Sequence, residues 1–117
     1  MKIVAEKNQL LDSLTKVNAV ISGSKITSSE IYNCVLIETL NDSVRLTGTD
    51  GDVTLMVTIS AVIESEGKLA IPIKRINDIV RKFKDSEVII SGKDDVITLQ
   101  CGRGNYKLTG YNAELYP

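Results

Sequence analysis

Asp50 and Asp52, two apart in Thr49-Asp50-Gly51-Asp52, are the side chains of this sequence best spaced for chemistry. A carboxylate pair of that kind could hold a hard cation. The two would share one face only if a strand ran straight through Gly51. Glycine between two acids reads instead as a bend, so a solvated hairpin turn is expected. Gly102-Arg103-Gly104 could cradle a phosphate, but no helix follows to add an N-terminal dipole, and it too reads as a turn. The chain has no histidine, which leaves acid–base work to carboxylates, lysine or tyrosine. No P-loop, dinucleotide fingerprint or nucleophile elbow is present. The sequence therefore assigns no catalytic residue, no metal ligand and no cofactor.

The stronger lead is cationic. Between Lys74 and Lys84 stand Lys74, Arg75, Arg81, Lys82 and Lys84 against a single acid, Asp78. They interleave with Ile73, Ile76, Val80 and Phe83, which recur at helical spacing. The charges must project from the other sides, as a solvated surface or as phosphate contacts. Net charge is −1, whereas an autonomous nucleic-acid binder is usually basic overall. One basic face on an acidic body can guide a polyanion without gripping it. Aromatic residues make up only 4% of the chain, which argues against base-stacking platforms.

The elements that would carry these residues repeat. Lys2-Ile3-Val4-Ala5 returns as Lys68-Leu69-Ala70-Ile71, an offset of 66. At that offset Leu10 meets Ile76, Leu14 meets Val80 and Val17 meets Phe83. A Ser-Glu-apolar step follows each copy (Ser29-Glu30-Ile31 and Ser86-Glu87-Val88), then an Asp-rich turn before a strand. Each half reads strand, helix, strand, strand, strand. Two copies are too few for a solenoid, so a pseudo-twofold domain is expected.

The first helix is predicted over Gln9 to Ile21, capped by Asn8 and stopped by Gly23. The second follows Pro72. Val53, Leu55, Val57, Ile59, Ala61 and Ile63 take every second position, which is a long strand with one buried face. Further strands are predicted over Ile31 to Leu40, Val44 to Thr49, Val88 to Ser91, Val96 to Cys101 and Asn105 to Thr109. Short polar turns make these antiparallel hairpins. Ser22 to Glu30 reads as an exposed loop. The class is α+β: antiparallel sheet with two helices on its inner face.

At 117 residues the chain suits one domain with one core. No stretch approaches the ~20 apolar residues of a membrane span, and the N-terminus is charged too early for a signal peptide. Cys34 and Cys101 sit far apart in apolar strands and should be buried, reduced thiols. These features point to the cytoplasm.

Several strings together resemble the first domain of the bacterial sliding clamp family, the beta subunit of DNA polymerase III. They are Met1-Lys2-Ile3 to Leu10-Leu11, Leu46-Thr47-Gly48-Thr49-Asp50, Ile71-Pro72-Ile73-Lys74-Arg75 with Asp78-Ile79-Val80-Arg81, and Cys101-Gly102-Arg103-Gly104-Asn105-Tyr106-Lys107-Leu108. Glu114-Leu115-Tyr116-Pro117 looks like the start of the family's linker to a second domain. The resemblance covers essentially the whole chain, as a single domain over residues 1–117.

The resemblance implies a DNA clamp fold and a replication processivity factor, not an enzyme. Three such domains would form a crescent, and two crescents a head-to-tail ring around duplex DNA. Helices would line the hole, and contacts to phosphate would carry no sequence information. It implies DNA contacts at Lys25, Lys74, Arg75 and Arg81, and a subunit interface at Arg103, Tyr106 and Leu108. The replicative polymerase and the clamp loader would bind through domains that follow. Around Lys25 the chain departs from the family pattern, lacking both of its prolines. Two other readings of the residues stand beside it. One is a generic α+β interaction module using Asn105 to Thr109 as an exposed strand. The other is a small metal-dependent enzyme built on Asp50 and Asp52.

Overall fold

In the computed structural model, residues 1–22 and 30–117 are described. In chain order the elements are β1 (Lys2–Glu6), α1 (Lys7–Ser22), a 3₁₀ turn (Glu30–Asn33), β2 (Cys34–Thr39), β3 (Ser43–Thr49) and β4 (Thr54–Ser65). The second half follows with β5 (Lys68–Pro72), α2 (Ile73–Lys82), β6 (Glu87–Lys93), β7 (Val96–Cys101), β8 (Gly104–Thr109) and a 3₁₀ turn (Ala113–Leu115). Both halves thus have the predicted order, and both helices begin at the predicted offset, Lys7 against Ile73.

The described strands form one antiparallel sheet in the order β5-β2-β3-β4-β1-β6-β7-β8. The halves exchange their first strands. β1 pairs with β6 of the second half, and β5 with β2 of the first. The register repeats too: Ile3 opposite Ile90 has its counterpart in Leu69 opposite Ile37. Period-two alternation places these residues on one face, where Leu10, Leu14 and Val17 of α1 and Ile73, Ile76 and Val80 of α2 meet them fully buried. Each such side chain contributes about 1.5–3 kcal/mol on burial.

Four local expectations are corrected. The cap of α1 is Glu6, not Asn8: Glu6 Oε2 accepts from the Asn8 N–H at 2.7 Å and Oε1 from Gln9 N–H at 3.1 Å. A carboxylate there also faces the positive end of the helix. The Ser-Glu-apolar match does not survive, because Glu87 opens β6 while Glu30 and Ile31 lie in a 3₁₀ turn. β2 starts later, at Cys34, and the strand offset is 53. Val53 precedes β4 and is exposed, because the turn before it closes on Asp50. The proposed stop at Gly23 and most of the loop after it lie outside the described residues.

The two helices differ in length, 16 residues against 10. α1 lies across β3 and β4. The approach is close at Gly48, where a Cβ would stand 2.6 Å from Val17 Cγ1. α2 ends at Lys82, where Phe83 turns extended and returns its N–H to the Val80 carbonyl at 3.1 Å. The inner face of β8 is left with less helix above it.

Candidate nucleic-acid interface and strand edges

The basic residues of α2 fall into two stripes. Residues seven apart differ by about 20° around a helix, so Lys74 and Arg81 share one line and Arg75 and Lys82 another. Ile73, Ile76, Asn77 and Val80 are buried beneath them, and all four cations are exposed. None is in an ion pair among the described residues. Arg81 and Lys82 also lie in the last turn, where the helix dipole favours positive charge.

The stripes face different surroundings. Arg75 and Lys82, with Asp78 and Ile79, line an open groove of about 620 Å³ whose other wall is Tyr106 to Thr109 and Tyr111. Lys74 and Arg81 do not line it. The structure therefore brings Lys74 and Arg81 together and sets Arg75 apart, toward β8. Spacing alone groups all three, because it reports a helix face but not its neighbour. Lys25 lies outside the described residues.

Arg103 occupies the tight turn between β7 and β8, exposed, next to Gly102 at φ +55°. Glycine is required at that first turn position, and a Cβ there would also meet Asp85 Oδ2. Tyr106 and Leu108 sit opposite the buried Leu99 and Ile97, so both point to the inner face. The Tyr106 ring packs edge-on to Phe83, centroids 5.8 Å apart at 61°. It remains 39% exposed because α2 stops short of it. Asn105, Lys107 and Thr109 alternate to the outer face. The far edge of β8 has no strand partner among the described residues.

A second such edge was not foreseen. β4 pairs with β3 over Thr54 to Ser60 and with β1 only from Ala61 to Ser65. Its first half is thus free on one side among the described residues. By register, Val57 and Ile59 are the counterparts of Tyr106 and Leu108: each pair faces equivalent residues on β3 and β7. The internal repeat was the signal that could have found it.

Asp50 serves the turn that Asp52 belongs to. Its Oδ1 accepts from the N–H groups of Val53 at 2.7 Å and Asp52 at 2.8 Å, which closes the turn. These bonds, that from Val53 first, hold its carboxyl below the usual range.

The whole of residues 1–117 matches the family described as "DNA polymerase III beta subunit, N-terminal domain". The chain belongs to that family. It is 29% identical to the beta sliding clamp of Synechococcus elongatus over 119 residues, covering all of this chain and 32% of that protein. The Haemophilus influenzae beta sliding clamp is 31% identical over the same share. Among solved structures, the Bacillus subtilis DNA polymerase sliding clamp superposes with a TM-score of 0.93 at 25% identity, over all of this chain and 33% of that one. The Helicobacter pylori beta clamp, solved with a DNA ligase peptide, gives 0.91 at 29%, over all of this chain and 32% of that one. The chain thus spans about a third of the length of the clamps it matches. Its two helices and antiparallel sheet are the clamp fold.

Proposed function

We propose that this chain acts as the first domain of a ring-shaped sliding clamp, a non-catalytic processivity factor for the replicative DNA polymerase in the cytoplasm. The observation that carries the reading is the stripe of Lys74 and Arg81, exposed on a helix of the inner face and in no ion pair among the described residues. Two strand edges without a partner among the described residues, on β4 and β8, support it, since a ring segment needs a joint at each end. A ring holds DNA by topology, so a few weak phosphate contacts suffice, and a net charge of −1 is no obstacle. In this reading β8, with Arg103, Tyr106 and Leu108, meets a second subunit head to tail. Polymerase and clamp loader bind elsewhere on the full ring, and no cofactor takes part.

The test is anisotropy titration of a labelled duplex at low and moderate salt. Wild type should bind with a dissociation constant in the range of ~10⁻⁴ to 10⁻⁶ M, weakening as salt rises. Lys74→Ala/Arg81→Ala should lose most of that binding and Arg75→Ala/Lys82→Ala much less. Equal binding by wild type and the first variant sinks the reading.

A further inference from the structure

The outer face of the sheet repeats a row of residues, and only one copy of the row is covered. In the first half Thr47, Leu36, Ala70 and Tyr111 stand side by side across β3, β2, β5 and the bridge beyond it. In the second half Gln100, Ile89, Val4 and Val62 hold the same places across β7, β6, β1 and β4. Their neighbours along the strands, such as Leu46, Ile37, Ile90 and Ala5, belong to the core under the helices, so the strand members of both rows point outward. Thr47, Leu36 and Ala70 are nevertheless buried. The chain after Tyr111 turns back over them and sets the Tyr116 phenol on the Thr47 carbonyl. The second row is open, with Val62 63% exposed and Val4, Ile89 and Gln100 half-buried. The reason is topological. Past Val62, β4 runs on as a strand to Ser65, so no segment returns across the row among the described residues.

Beside the open row lies a notch of about 400 Å³ between Val4 to Glu6, Ser60 to Val62 and Ser86-Glu87. Its rim differs in charge from that of the covered row. Where Pro72 stands opposite Cys34, Glu6 stands opposite Glu87. Glu6 is committed to the first N–H groups of α1. Glu87 is exposed and in no ion pair among the described residues. Lys2, the nearest cation along β1, is held by Glu64.

We propose that this row and its notch dock an extended segment of a partner protein that carries a tyrosine with a lysine or arginine beside it. The covered row supplies the pattern, for Tyr116 on extended backbone is what it accepts. In the open row Val4, Val62 and Ile89 take the ring, and the Gln100 carbonyl, counterpart of that of Thr47, accepts the phenol's hydrogen bond. Glu87 selects a cation where Cys34 in the covered row selects none. The site lies on the face opposite α1 and α2, so the inference goes beyond the proposed ring and does not depend on DNA binding.

The probe is a peptide with the sequence Asn112 to Pro117 carrying Glu114→Lys. Added to isotope-labelled protein, it should shift the amide resonances of Val4, Val62 and Ile89 saturably and leave those of Leu36 and Thr47 in place. With the peptide fluorescein-labelled, anisotropy should show Val62→Lys in the protein weakening binding about tenfold. Glu87→Gln should weaken it about threefold, and only at low salt. Tyr116→Ala in the peptide should remove most of it. Circular dichroism melting checks the fold; if Val62→Lys does not fold, Val62→Thr, which keeps the branched shape, takes its place with a smaller loss. Shifts at Leu36 and Thr47 in place of Val4 and Val62 would mean that the peptide only displaces the chain's own Tyr116, which overturns the proposal. So would the absence of saturable shifts at millimolar peptide, or equal binding by wild type and the Val62 variant.

Discussion

The phenol of Tyr116 donates to the backbone carbonyl of Thr47 at 3.2 Å, a contact between residues 69 positions apart. It is the last of several ties that lay the chain after β8 across the sheet. Gly110 N–H reaches the Asp95 carbonyl at 2.7 Å, Tyr111 N–H reaches Ala70 at 3.0 Å, and Lys68 pairs with Glu114 at 3.2 Å. The bridge at Ala70 gives the far edge of β5 its one described strand-like partner. Tyr116→Phe should keep the ring and lose the bond, costing about 0.5–1.5 kcal/mol. Urea midpoints at constant slope measure it. An unchanged midpoint would mean the hydroxyl gains nothing over water.

Alkali should unfold the domain through a buried thiol and a half-buried phenol. Burial first, then the nearby Glu30 carboxylate, pushes the Cys34 thiol from 9.0 up to about 12. Burial first, then Cys34, raises the Tyr116 phenol from 10.0 to about 12. Both folded values lie above the unfolded ones, so the neutral forms stabilise the fold. Their contribution is whole below pH 9.0 for the thiol and 10.0 for the phenol, and is lost as pH rises toward about 12. Stability should therefore decline across that window, and less steeply in Tyr116→Phe. A flat profile to pH 12 in wild type contradicts the assignment.

Leu14 and Val80 are equivalent in the two halves and fully buried where the helices meet the sheet. Leu14→Ala should cost about 2–5 kcal/mol, the transfer of the lost methyl groups plus a cavity. Chemical denaturation reads it. A loss below about 0.5 kcal/mol would place Leu14 at the surface.

Gly48 is needed because α1 comes too close for a side chain. A Cβ would stand 2.6 Å from Val17 Cγ1 and 3.3 Å from Ile21 Cδ1. Gly48→Ala should cost about 1–3 kcal/mol by overpacking. Trimming the neighbour with Val17→Ala should recover part of that, so the double mutant is more stable than the two single losses predict. A double-mutant cycle with no coupling would show that the helix simply shifts away.

Much of this fold was legible in local pattern. Periods of two and 3.6 mark Leu55 to Ile63 as a strand and Ile73 to Phe83 as a helix, because a buried face repeats with the geometry of its own element. The offset from Lys2 to Lys68 revealed two like halves, and α2 declared its cations. What tertiary structure alone decided was who stands beside whom. Nothing near Arg75 in sequence says that β8 passes it, and so separates it from Lys74. Nothing in Thr54 to Ser60 says that β1 reaches β4 only from Ala61 onward, leaving an open edge. Nothing in Tyr116 names Thr47. Helix faces and strand faces follow from neighbours in the chain, whereas strand order and edge exposure follow from pairings dozens of residues apart, set when the whole core is buried at once.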